Sequence, residues 1–144
     1  MAKRPMISTP RELYRAAVAM HGMTRLASPY IRPAGEDQLA VYLGYYFNLG
    51  FAVELYLKAY VRDVTGEDVS RYGHDLEKLL NAALSNGFDF QKCAMVDIDK
   101  IIGQEHLTLK FRYAEGASEF SNINQLDLVD ATLVACEEGM AHLR

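Results

Sequence analysis

The sequence predicts an all-α fold, a compact up-and-down bundle of about five helices. Apolar residues recur every three or four positions in five separate segments. Helix start and stop signals bracket these segments. Only the stretch "HLTLKFRY" alternates with a period of two, and a single strand has no partner with which to form a sheet. We therefore expect this stretch to be an extended connector that buries its apolar side.

Length and composition predict one domain, residues 1–144, with a basic helix and loop in 1–34 and a core bundle in 35–144. The chain is half apolar, which is enough for a core without metal or disulfide support. The net charge of −4 combines +5 up to Arg32 with −9 from Pro33 onward. The electrostatic fields of these two segments have opposite signs. They favour docking of the basic segment on an anionic partner or on the acidic part of another copy.

The two cysteines, Cys93 and Cys136, lie in no CxxC or Cys/His pattern. Two such cysteines are typical of reduced, buried positions, and they indicate a cytoplasmic protein. The N-terminal residues contain no continuous apolar region, so we expect no signal peptide.

The first predicted helix begins with a capping box. Thr9 is the expected N-cap, Pro10 occupies the first helical position, and Glu12 follows three residues after the cap. An arginine stripe on this helix has two interpretations, a solvated outer face or a surface that contacts phosphates; it consists of Arg11, Arg15 and Arg25.

The second predicted helix, about Glu36 to Val64, is the centre of the bundle. Most of its circumference is apolar or aromatic, and a narrow polar seam interrupts it. The seam comprises Gly44, Asn48, Phe51, Glu54, Leu55, Lys58 and Arg62. The charged seam residues argue against a membrane span. Because one small bundle cannot cover so much apolar surface, the helix predicts a homodimer.

Three further helices are predicted, at about 74–84, 90–102 and 123–143. We expect Gly73 or His74 to cap the third, Gly103 to end the fourth, and Asn122 or Asn124 to cap the last. On the last helix, the apolar positions step by three or four from Ile123 to Leu143 and leave an acidic opposite side with Asp127, Asp130, Glu137 and Glu138.

Several kinds of chemistry have no motif in this sequence. The four histidines lie on different predicted elements, and no two have metal-ligand spacing. Glycine-rich nucleotide loops and a GxSxG nucleophile elbow are missing as well. The sequence thus predicts neither a metal site nor a cofactor.

The candidate binding residues are polar side chains placed where a bundle is normally apolar: Glu54, Lys58, His74, Arg112 and Tyr113. Glu54 and Lys58 are spaced for a helical ion pair. They either neutralise one another at the rim of the core, or leave Lys58 as a desolvated cation for a phosphate. The guanidinium of Arg112 suits either a carboxylate such as Glu54 or a bound phosphate.

Four stretches together resemble the HEPN superfamily, the higher-eukaryote and prokaryote nucleotide-binding domains. They are "FAVELYLKAYV", "TGEDVSRYG", "GHDLEKLL" and "LKFRY", followed by an amphipathic helix. The resemblance covers the chain from about Gln38 onward. It implies a small, usually dimeric all-α bundle of the toxin–antitoxin or defence type, often paired with a nucleotidyltransferase-type partner.

One departure from the family's pattern bears on activity. Active HEPN ribonucleases resemble one another in an Arg followed, after four to six residues, by a His on the closing helix. Here His142 is preceded at five residues by Glu137, and no Arg lies on that helix. We therefore expect a non-catalytic module that binds RNA, a nucleotide or a cognate protein. The alternatives are a metal-independent ribonuclease that uses Arg112 and His74, and a structural homodimerisation module without a ligand.

Overall fold

The computed structural model describes residues 7–31, 39–108 and 125–144. These residues form an all-α helical bundle, as predicted, and contain no β-strand. The five main helices are α1 (Pro10–Ala27), α2 (Leu39–Thr65), α3 (Leu76–Ser85), α4 (Lys92–Leu107) and α5 (Leu126–Gly139). Short 3-10 helices occupy Ser28–Tyr30, Ser70–Tyr72 and Ala141–Leu143.

Helix α1 begins with the predicted capping box. The Thr9 hydroxyl accepts the Glu12 amide at 3.1 Å, and the Glu12 carboxylate accepts the Thr9 amide at 3.1 Å. These two bonds satisfy amide donors that lack partners within the helix. The three arginines of the stripe are exposed, so the helix turns its other face, with Leu13 and Ala17, to the core.

Helix α2 lies at the centre of the bundle and packs against α1, α3, α4 and α5. Its predicted span from Glu36 begins in residues 36–38, which lie outside the described part of the chain. The large side chains Tyr45, Tyr46, Tyr56 and Leu57 are fully buried. No helix among the described residues is long and apolar enough to cross a membrane.

Helix α3 starts two residues later than predicted, and its cap is neither Gly73 nor His74. Asp75 is the N-cap, and its carboxylate accepts the Lys78 amide at 3.1 Å. An aspartate is a better capping acceptor than either neighbour. Gly73 adopts φ +54°, which lets the chain turn sharply into the helix. As a result, His74 lies in the turn between α2 and α3.

Helix α4 continues past Gly103 to Leu107, so the predicted stop is wrong. A Cβ atom at position 103 would lie 2.5 Å from Asp99 Oδ1, so the glycine leaves room for the aspartate within a continuous helix. His106 and Leu107 are thus helical, and the predicted extended connector is wrong for both. Thr108 is the C-cap of α4 and is not extended either, and the rest of the connector, from Leu109 onward and with Arg112 and Tyr113, lies outside the described residues.

Helix α5 begins at Leu126, after Gln125, which makes no side-chain capping bond. The predicted caps Asn122 and Asn124, and Ile123, fall outside the described residues. Where it is described, the predicted apolar face packs on the core: Leu126 is half-buried, and these side chains are buried: Val129, Leu133, Cys136, Met140 and Leu143.

The two cysteines differ in exposure. Cys136 is buried on α5 as predicted, whereas Cys93 is exposed in the first turn of α4, so the prediction of burial is wrong there. Position 93 precedes the buried stripe of α4, which starts at Met95. Neither cysteine forms a disulfide.

Candidate functional site

A buried carboxylate, Glu54 on α2, collects three donors from three parts of the fold. His74 Nδ1 lies 2.7 Å and His106 Nε2 lies 2.9 Å from the same oxygen, Glu54 Oε1. Lys58 Nζ donates to the other oxygen, Oε2, at 3.2 Å. These four residues are called the Glu54 cluster below.

Local structure explains how each member of the cluster is placed. Glu54 and Lys58 are one turn apart on α2, the spacing at which helical side chains meet. The turn at Gly73 delivers His74, and the last turn of α4 delivers His106. Gly50 allows the His106 ring to lie against α2, because a Cβ atom there would overlap that ring.

Phe51 holds both imidazoles from one side. Its ring packs edge-on against His74 at 5.4 Å and against His106 at 4.8 Å between centroids. Such contacts fix the ring planes beyond what the hydrogen bonds to Glu54 alone achieve. The sequence predicts that Phe51 lies on the polar seam of α2. In the structure its ring contacts His74 and His106 on that side of the helix.

Glu54 remains ionised although it is buried. Burial alone would raise the pKa of Glu54, but the hydrogen bond from His106, the charge of Lys58 and the hydrogen bond from His74 outweigh it, and the pKa is lowered. An ionised carboxylate only accepts hydrogen bonds. The two ring nitrogens that face it must therefore carry protons.

The structure brings together three of the predicted site residues, Glu54, Lys58 and His74. Arg112 and Tyr113 lie outside the described residues, so their positions relative to the cluster stay predictions. The sequence interpretation missed His106, because it ended the helix at Gly103. Ile98, Ile102 and His106 are four residues apart and all buried on α4, so a helix continued through Gly103 would have placed His106 on the core face.

Lys58 also borders a cavity of about 190 Å³ that is open to solvent. The cavity lies between the start of α1, the middle of α2 and the loop that follows α2. Its lining residues are Ile7, Ser8, Leu13, Lys58, Asp68, Val69 and Ser70. We refer to it as the Lys58 cavity. Its wall contains one cation, one carboxylate and two hydroxyl groups.

Asp68 is held in place on the cavity wall. Its carboxylate accepts the amide of Ser70 at 2.9 Å and the hydroxyl of Ser70 at 3.0 Å. These hydrogen bonds lower the pKa of Asp68, first through the Ser70 amide and then through its hydroxyl. Asp68 is thus an ionised acceptor at neutral pH.

A second polar cluster joins α1 to α5. Asp130 accepts from buried His21 Nε2 at 2.8 Å and from Arg25 Nε at 2.9 Å. His21 Nδ1 lies 3.2 Å from the hydroxyl of Tyr56 on α2. The sequence assigned Asp130 to the side of α5 opposite its packing face, yet its carboxylate reaches α1 and ties the two helices together.

Replacing Asp130 with asparagine should lower the free energy of unfolding by about 1 kcal/mol at pH 7, because a partly exposed charged acceptor is lost. Burial tends to raise the pKa of Asp130, but hydrogen bonds from Arg25 and His21 lower it below the ordinary 3.8. Its stabilising effect is therefore present above pH 3.8 and disappears as the pH falls through the lower, folded-state pKa.

Urea unfolding of the wild type and of Asp130→Asn from about pH 7 to about pH 3 measures this effect. The two stabilities should converge in acid. Asp97→Asn, at an exposed position within α4, is the matched control and should change little at any pH. A difference between wild type and Asp130→Asn that is independent of pH would contradict the assigned role.

No protein-family model, curated protein or solved structure matches this chain. The HEPN resemblance therefore stays a prediction from the sequence.

Proposed function

We propose that this protein is a HEPN-like, non-catalytic module that binds a ribonucleotide, free or within an RNA, in the Lys58 cavity. One observation carries the proposal: Lys58, with a side chain only 12% exposed, both pairs with Glu54 and lines an open cavity. A cation withdrawn from water attracts a phosphate more strongly than a solvated surface lysine does.

The donors of Lys58 suit a second, anionic partner. An ammonium group carries three N–H donors, and Glu54 accepts one of them. The ion pair orients the ammonium group, so less conformational entropy is lost when a phosphate oxygen binds. Glu54 thus acts as the positioning residue for Lys58.

Asp68 gives the cavity a preference for ribose. Its carboxylate is ionised and lies on the same wall as Ser70. Carboxylates accept hydrogen bonds from ribose hydroxyls in nucleotide sites, and the 2′-hydroxyl is the group that separates RNA from DNA. A phosphate on Lys58 and a ribose on Asp68 fill a cavity of about 190 Å³, with the base extending outward.

The residues on and after the last helix support a non-catalytic role. The family's Arg is missing from α5, and His142 Nε2, in the 3-10 turn after it, lies 2.8 Å from Asp63 Oδ2. An exposed histidine tied to a surface carboxylate of α2 is far from the arrangement that phosphodiester cleavage requires, a proton-transfer group beside a free cation.

A metal-independent ribonuclease that uses His74 and Arg112 is the second candidate function. The observation in its favour is the contact of His74 Nδ1 with Glu54, which orients the ring and leaves Nε2 for proton transfer. Incubation of the protein with labelled RNA in EDTA tests it. Cleavage that is lost in His74→Ala would support the ribonuclease, and intact RNA would exclude it.

We also propose that the module acts as a cytoplasmic homodimer. Large apolar side chains are exposed on α1, on α5 and at the end of α2, and two free thiols suit a reducing compartment. These apolar residues are Met23, Leu26, Val64 and Leu128. Light scattering at micromolar concentration should give twice the mass of the chain, and a monomer would contradict the dimer.

Isothermal titration with the four ribonucleoside monophosphates and with a short RNA tests the ribonucleotide proposal. Lys58→Met should weaken binding by roughly 10- to 100-fold, since a charge-assisted hydrogen bond is lost. Lys78→Met is the matched control, because that side chain is 74% exposed on α3. Binding of the RNA but not of monophosphates would assign the site to polymeric RNA.

The same titration can contradict the ribonucleotide proposal. If neither the monophosphates nor the RNA binds, or if Lys58→Met binds as the wild type does, the proposal is wrong. The remaining interpretations are then a cognate protein partner of the toxin–antitoxin or nucleotidyltransferase type, or a structural dimer whose polar seam is purely internal. Asp68→Asn, at an exposed position, provides a second variant should Lys58→Met fail to fold.

A further inference from the structure

We propose that Glu54, His74 and His106 form a binding site for one divalent transition-metal ion of the zinc class. Each side chain offers one ligand atom, and these atoms all lie within 4.8 Å of one another. They come from the middle of α2, the turn before α3 and the last turn of α4. The site is separate from the ribonucleotide proposal and does not depend on it.

The distances are close to those of a coordination sphere. Zinc binds imidazole nitrogen and carboxylate oxygen at about 2.0–2.2 Å, which places tetrahedral ligand atoms roughly 3.3 Å apart. Here the two imidazole nitrogens lie 2.7 and 2.9 Å from Glu54 Oε1. An ion between them therefore requires each imidazole nitrogen to move about half an ångström away from Glu54 Oε1.

The donor set selects the class of ion. Two imidazoles and one carboxylate match the three protein ligands of open zinc sites, whereas Mg²⁺ and Ca²⁺ prefer oxygen ligands alone. The side chain of His74 is 39% exposed while those of Glu54 and His106 are buried. The ion thus has a path from solvent past His74, and one coordination position remains for water.

Binding replaces the two hydrogen bonds between the histidines and Glu54 with three metal–ligand bonds, one from each side chain. The protons on His74 Nδ1 and His106 Nε2 move to the other nitrogen of each ring, and Glu54 is already ionised. Each imidazole thus exchanges its hydrogen bond to Glu54 for a bond to the ion. The contacts of Phe51 with both rings keep the nitrogens aimed at the site in both states.

The charge of Lys58 has opposite effects on metal binding at this site and on phosphate binding in the Lys58 cavity. The ammonium group of Lys58 lies 3.2 Å from Glu54 Oε2, on the same carboxylate that would ligate the ion. A fixed positive charge that is paired with the ligating carboxylate repels a divalent cation bound to the same carboxylate. Removing the charge should therefore strengthen metal binding, while it should weaken the binding of a phosphate in the Lys58 cavity.

Titration of the metal-free full chain with Co²⁺, followed by its visible absorption, and competition with Zn²⁺ test the proposal. We expect one equivalent of Co²⁺ to give the intense bands of a four-coordinate ion, and Zn²⁺ to displace it. His74→Ala and His106→Ala should each lower the affinity by more than about 100-fold, since losing a ligand costs more than losing a group that only orients one. Lys58→Met should raise the affinity by roughly tenfold or more.

His142→Ala is the control, because that histidine is exposed and bound to Asp63; it should bind the metal as the wild type does. Circular dichroism establishes that each variant is folded, and half-exposed His74 gives a readable variant even if His106→Ala does not fold. Binding that survives His74→Ala, that is lost in His142→Ala, or that never reaches one equivalent would overturn the site. Opposite effects of Lys58→Met on Co²⁺ and on nucleotide affinity separate this proposal from the previous one.

Discussion

Glu54→Ala lowers the free energy of unfolding by about 3–5 kcal/mol, the largest loss expected for any polar side chain in the described bundle. The substitution leaves Lys58, His74 and His106 without their common acceptor. The His106 side chain is 2% exposed, so its ring N–H is left buried without the acceptor that it has in the wild type. Chemical denaturation at neutral pH measures the loss.

Two further variants define the origin of this loss. Glu67→Ala breaks an exposed ion pair with Arg71 and should cost less than about 1 kcal/mol, as surface pairs do. Glu54→Gln keeps the side-chain volume and one acceptor, so it should fall between Glu54→Ala and the wild type. A loss below about 1 kcal/mol for Glu54→Ala, as small as that of a surface pair, would mean that the cluster does not hold α2, α3 and α4 together.

Gly50→Ala should destabilise the protein by about 1–3 kcal/mol, the usual range for overpacking a core. The new methyl group overlaps the ring of His106, whose Cγ atom would lie 2.9 Å from the added Cβ atom. The ring must shift away from α2, which lengthens its hydrogen bond to Glu54. The same variant is therefore expected to weaken Co²⁺ binding.

Gly44→Ala provides a matched control on the same helix. A Cβ atom at position 44 meets nothing within 4 Å, so alanine should stabilise the helix by up to about 1 kcal/mol through its higher helix propensity. The two glycine substitutions should thus have opposite signs in urea denaturation. Equal, stabilising effects at both positions would show that His106 does not pack against Gly50.

Local patterns predicted the helices well. The capping box at Thr9 and the apolar face of α5 depend on residues three or four positions apart, and short-range spacing encodes them directly. The wrong start of α3 and the wrong end of α4 also arose from local start and stop signals. A glycine reads as a stop signal in sequence, but Gly103 lies inside α4 because it makes room for Asp99.

The candidate site was only partly predictable. Glu54 and Lys58 are one helical turn apart and could be paired from the sequence. His74 and His106 are 20 and 52 residues from Glu54, and such contacts depend on how the helices pack. In addition, the sequence predicted that α4 ends at Gly103, so His106 was not expected to lie on a helix. The Lys58 cavity, formed by the start of α1, the middle of α2 and the loop that follows α2, has no local signature in the sequence.

One ionised carboxylate, Glu54, receives a proton donor from each of two histidines, and the proposed metal site is built on that arrangement. Histidine-selective ¹⁵N NMR of the metal-free protein just above neutral pH tests it most directly. We expect His74 to carry a proton on Nδ1 and His106 to carry one on Nε2, and Glu54→Ala to disturb both signals. A proton on Nδ1 but not on Nε2 of His106, or histidine signals unaffected by Glu54→Ala, would contradict it.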